Sequence, residues 1–65
     1  MINQEKALAF LKSKGIIFYP KEVEDEGDHI IMKSLGAVVI VNKHEETITW
    51  QKNGQVRVFY YSSKR

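Results

Sequence analysis

The dipeptide Asn53-Gly54 lies between two runs rich in β-formers, Thr-Ile-Thr-Trp-Gln and Gln-Val-Arg-Val-Phe-Tyr-Tyr. A type I′ turn needs positive φ at both central residues, and Asn-Gly is among the pairs that adopt it most readily. The chain therefore contains a β-hairpin with strands over about 47–51 and 55–61. A two-residue turn also sets a register, with Trp50 opposite Arg57 and Ile48 opposite Phe59.

Upstream, the apolar residues Ala7, Leu8, Phe10 and Leu11 recur at helical spacing. Asn3 is a good N-cap, Glu5 puts an acid in the first turn, and Lys12 and Lys14 fall in the last. Gly15 suits the residue that ends a helix. These signals predict a helix over about 4–14. The β-branched and aromatic run 16–19 reads as a short strand, closed by Pro20. Residues 21–28 read as a solvated acidic loop. Strands follow at 29–33 and 37–42. The expected fold is α+β, an N-terminal helix packed on an antiparallel meander of four to five strands in one small domain.

A four-residue loop over 43–46 pairs Val41 with Ile48 and Val39 with Trp50. A three-residue loop, Ser34-Leu35-Gly36, pairs Ile31 with Val39. Alternation then gives one face Ile31, Val39, Val41, Ile48, Trp50, Phe59 and Tyr61. The other receives Ile30, Met32, Val38, Ile40, Val56, Val58 and Tyr60, with Thr47 and Thr49 between them. Both faces are apolar, and one short helix covers only one. Three arrangements would satisfy the second: a sheet curled toward a barrel, a contact with another protein or a second copy, or an aromatic and basic platform for nucleic acid.

Charge narrows the partners. Glu22, Glu24, Asp25, Glu26 and Asp28 crowd one stretch, leaving ten basic residues against three acids elsewhere. The acidic stretch is a candidate partner surface. Lys43, Lys52, Arg57, Lys64 and Arg65 interleave with Trp50, Phe59, Tyr60 and Tyr61, the pattern that stacks bases beside bound phosphates. Within that set Trp50 and Arg57 form a cross-strand pair, by packing or as a cation–π contact.

Chemistry-bearing motifs are absent. The chain has no cysteine, and His29 and His44 have no partner at zinc-ligand spacing. The acids do not follow the alternating pattern of a calcium loop. No serine sits in a nucleophile motif, and no glycine-rich phosphate loop occurs. No catalytic residue, metal, cofactor or small-molecule substrate is expected. No apolar run approaches the ~20 residues of a membrane span. The N-terminus lacks the basic and apolar regions of a signal peptide. These features suit a cytoplasmic protein of accessory or regulatory type, as carried on phage and mobile elements.

Phe10-Leu11-Lys12-Ser13-Lys14-Gly15 followed by Gly27-Asp28-His29 resembles the HicA type of small mRNA-cleaving toxin. There a helix ends in a Leu-Leu-x-x-x-Gly pattern, and Gly-Ser-His opens a later strand. The resemblance implies a double-stranded-RNA-binding-like fold with His29 as the catalytic residue. Asp28 stands in place of the serine, and the hairpin over 47–61 replaces that family's C-terminal helix.

Overall fold

The computed structural model describes residues Ile2 to Ser62, so the candidate cations Lys64 and Arg65 lie outside the described residues. Helix α1 spans Gln4–Ser13. The Asn3 Oδ1 accepts from the Lys6 N–H at 2.9 Å, satisfying one of the amides left free at a helix start. At the other end the Gly15 N–H donates to the Lys12 carbonyl and the Ile16 N–H to the Leu11 carbonyl, at 3.0 and 2.9 Å. Gly15 has φ of +88°. This is a Schellman motif, and its characteristic apolar contact is supplied by Leu11 and Ile16, both buried in the core. A helix of ten residues is marginal by itself in water. Burial of Ala7 and Leu11 is what holds it.

Five antiparallel strands follow in sequential order: β1 Glu22–Asp25, β2 His29–Ser34, β3 Ala37–Asn42, β4 Thr47–Lys52 and β5 Gln55–Tyr60. The sheet is open, with β1 and β5 as its edges, so it does not close into a barrel. The class is α+β with the helix at the N-terminus.

Two expectations about the first half are corrected. No strand forms over 16–19. Ile16 and Phe18 are buried while Ile17 and Tyr19 are exposed, so the run alternates as a strand would. Its branched and aromatic side chains fix that alternation, but it has no ladder partner. The acidic loop is also a strand in part: Glu22, Val23, Glu24 and Asp25 pair with Lys33, Met32, Ile31 and Ile30. All four β1 residues are exposed. Backbone pairing needs no apolar side chain, and at a sheet edge the carboxylates stay in water.

The hairpin closes as expected. Asn53 and Gly54 have φ of +50° and +81°, and Trp50 faces Arg57. The predicted pairings of Val41 with Ile48 and Val39 with Trp50 also form. The β2–β3 register differs by one residue: Ile31 faces Ile40, and Val39 faces Met32. The cause is the turn. Ser34 and Ala37 pair directly, leaving only Leu35 and Gly36 between them. Gly36 has φ of +73° and Leu35 does not, the sign pattern of a type II turn, which is uncommon in two-residue hairpins.

A one-residue slip moves every side chain of a strand to the opposite face. Ile30 and Met32, rather than Ile31, therefore join Val39, Val41 and Ile48 beneath α1, and all five are fully buried. Ala7, Leu11, Ile16, Phe18 and Ala37 complete the core. The helix thus covers the sheet face that also carries Trp50, Arg57 and Phe59. The opposite face has no helix over it.

Candidate functional site

Three side-chain rows cross the uncovered face. The central one runs Glu24, Ile31, Ile40, Thr49, Val58. On one side lie Glu22, Lys33, Val38, Gln51 and Val56; on the other, His29, Asn42, Thr47 and Tyr60. The register slip makes this face less apolar than expected, since it exchanges Ile30 and Met32 for Ile31. What remains is graded: acids at the β1 end, apolar groups toward β5. Val56, Val58 and Tyr60 are 59%, 52% and 73% exposed. Ile31, Val38 and Ile40 are half-buried by their neighbours.

The same three β5 residues hold the free edge. Residues flanking a two-residue turn exchange both backbone bonds, and bonded and unbonded pairs then alternate. Lys52 and Gln55 are that flanking pair. The alternation runs past the strand end, where the Tyr61 N–H donates to the Glu46 carbonyl at 3.1 Å. Gln55, Arg57 and Phe59 thus bond inward to β4. Val56, Val58 and Tyr60 direct their N–H and C=O groups away from the sheet. The two edges differ in chemistry: β1 carries Glu22, Glu24 and Asp25, while β5 carries one charge, Arg57.

The sequence-predicted binding residues do not share one surface. Tyr60 is on the uncovered face. Trp50, Arg57 and Phe59 are on the helix side, where the aromatic groups pack. The Phe59 ring meets the Phe10 ring edge-on, 6.1 Å between centroids at 73°. The Arg57 guanidinium lies 5.6 Å from the Phe59 centroid, so Phe59 is its aromatic partner although Trp50 is its cross-strand neighbour. The Lys14 ammonium lies 5.3 Å from the Phe10 centroid. Two cations thus flank an aromatic pair that ties α1 to β5.

Tyr61 also packs against the core, in an open groove of about 550 Å³ lined with Ile2, Lys6, Phe10, Lys43 and Glu46. Burial, with a smaller contribution from the Glu46 carboxylate, raises the Tyr61 hydroxyl above its ordinary pKa of 10.0. Lys43 reaches the Asp25 carboxylate at 3.5 Å, a surface pair worth ~0–1 kcal/mol. Lys52 is exposed beside the Asn53-Gly54 turn.

The acids are likewise divided. Glu22 and Glu24 project onto the uncovered face and Asp25 onto the other. The Asp25 carboxylate accepts from the Gly27 N–H at 3.0 Å, closing the turn into β2. Glu26 and Asp28 lie within that turn, bonded through their backbone N–H groups to the carbonyls of His29 and Glu26. Among the described residues no three His, Cys, Asp or Glu side chains converge as a metal site would require. Among the described residues no helix is long and apolar enough to cross a membrane.

His29 opens β2, half-buried, beside Asn42 on the uncovered face. The described residues contain one helix, so the fold implied by the toxin resemblance is not the one observed. The chain matches no protein-family model, no curated protein and no solved structure at a significant level.

Sequence reasoning placed Val56 and Val58 on a face without singling them out for binding. The signal was present. A two-residue turn sets which residues bond inward, and counting from it gives the outward ones.

Proposed function

We propose that this chain is a small non-enzymatic interaction module of the cytoplasm whose β-sheet is its contact surface. The ligand is another polypeptide, either a second copy of the chain or a different protein. An accessory or regulatory role of the mobile-element kind fits its size and charge. The observation that carries the reading is the coincidence on β5: its exposed apolar side chains and its unpaired backbone groups belong to the same three residues, Val56, Val58 and Tyr60. Exposed apolar surface next to an unscreened strand edge is what strand-adding interactions use. Tyr60 lies on the opposite face from Trp50, Arg57 and Phe59, and the Phe59 ring is engaged by Phe10, which favours a polypeptide over stacked bases.

A photo-crosslinking side chain at position 58, compared with one at exposed position 12 on the helix, tests this in the producing cell. The expected result is a covalent protein adduct from position 58 and none from position 12. No adduct at 58, or equal adducts at both, would overturn the proposal.

A further inference from the structure

We infer that β5 pairs with β5 of a second copy, antiparallel about a two-fold axis at Val58, so that two five-stranded sheets become one. The inference rests on the sheet being the working surface and names its occupant.

The register follows from the outward groups. In an antiparallel ladder, outward-pointing residues must meet outward-pointing residues. Val56, Val58 and Tyr60 allow five two-fold arrangements, and three of these pair more than one of the residues. Pairing Val56 with Val58 of the second copy puts the two Arg57 side chains directly opposite, a destabilising like-charge contact. Pairing Val58 with Tyr60 of the second copy puts Phe59 opposite Phe59 but takes Val56 beyond the end of the strand. Pairing Val58 with itself uses all three residues, since Val56 then meets Tyr60 of the second copy. That register also places Arg57 opposite Phe59 of the second copy in the closely spaced, non-hydrogen-bonded position. The guanidinium already lies over a Phe59 ring within its own chain and would gain another.

The occupant is a second copy because the strand complements itself in the register that satisfies every outward group. Its only charge then faces an aromatic ring. The other edge has no such solution, since pairing β1 with β1 brings Glu22, Glu24 and Asp25 together. One strand edge buries less than the ~1,200 Å² of a standard interface. A dissociation constant in the micromolar range or weaker is expected.

Sedimentation velocity from about 1 µM to several hundred µM, spanning that constant, tests the inference on three chains. Proline at position 58 removes an N–H that no intrachain bond uses, so Val58→Pro blocks the new ladder and spares the old one. Ile40→Lys charges the uncovered face two strands from the edge. The expected results are a reversible dimer for the parent, at least ~10-fold weaker association for Val58→Pro, and an unchanged dimer for Ile40→Lys. A dimer lost in Ile40→Lys and kept in Val58→Pro overturns the edge pairing but leaves the sheet as the contact. A parent monomeric throughout overturns the second copy. A crosslink from position 58 to a different protein would then keep the broader reading.

Should Val58→Pro fail to fold, Val58→Cys replaces it. On the axis its Cα would lie about 5.5 Å from its mate, within disulfide range. Under oxidised glutathione Val58→Cys should become a covalent dimer, while Thr49→Cys, one strand inward, should not. Equal crosslinking of the two would overturn the register.

Discussion

Replacing Ile30 by valine and, separately, Ile31 by valine turns the β2 register into a measurement. The substitutions are chemically identical, occupy adjacent positions, and keep a β-branched residue in a strand. Only burial differs. Ile30 is 1% exposed between α1 and the sheet, and Ile31 is half-buried on the uncovered face. Deleting one buried methylene costs about 0.8 kcal/mol of transfer free energy, and the unfilled space brings Ile-to-Val changes to about 0.5–1.5 kcal/mol. For Ile30 the expected loss is about 1 kcal/mol, because its site is closed by the helix and cannot fill with water. For Ile31 it is under about half of that, since solvent reaches the position in the folded state already. A chain this short holds a net ~3–5 kcal/mol, so Ile30→Val should remove roughly a quarter of it. With a urea m-value near 1 kcal/mol/M, the midpoint should fall by about 1 M for Ile30→Val and by less than about 0.5 M for Ile31→Val. Urea titration followed by Trp50 fluorescence and by far-ultraviolet dichroism reads both, at one low concentration to exclude association. An Ile31→Val loss equal to or larger than that of Ile30→Val would refute the register and, with it, the assignment of the two faces.

Other expectations are equally direct. Gly54→Ala should cost about 1 kcal/mol or more in the same titration, because φ of +81° is unfavourable for an L side chain and the hairpin depends on it. Phe59→Leu keeps an apolar side chain but loses the edge-on contact to Phe10 and the Arg57 contact, for about 1–2 kcal/mol in total. The Tyr61 hydroxyl has its pKa raised by folding from 10.0, so the folded state holds the proton more tightly. Its contribution to stability is full below pH 10.0 and is lost as pH rises through the folded value. Thermal melts across that window should show a decline that Tyr61→Phe abolishes; an identical decline in the variant would assign it to other groups.

The helix and the Asn53-Gly54 hairpin were legible because each rests on local chemistry. Asn3, Gly15 and the apolar stripe act within one helix, and the turn acts within four residues. The β3–β4 register was legible for the same reason, as 43–46 closes in the one way that keeps Val41 on Ile48. The β2–β3 register was not. Leu35-Gly36 lacks the Asn-Gly chemistry of favoured two-residue turns, so a longer loop looked better, and burial of Met32 and Ile30 under α1 outweighs that preference. Nor was β1 visible, since three of the four residues in Glu-Val-Glu-Asp are depleted in strands, and the segment is recruited by the open edge of β2. Of the candidate site, the uncovered apolar face was legible from alternation. The division of the aromatic and basic residues was not, because it depends on which face the helix takes.

The acidic strand has a consequence for stoichiometry. A sheet with two receptive edges has a valence of two and adds members without limit, as a fibre does. In the proposed β5 pair the remaining free edges are both β1, and Glu22, Glu24 and Asp25 oppose a further β1, so each chain would have a valence of one. Any assembly begun at β5 then terminates after a single addition. In that arrangement the charges that do least for the core would set the largest object the chain builds.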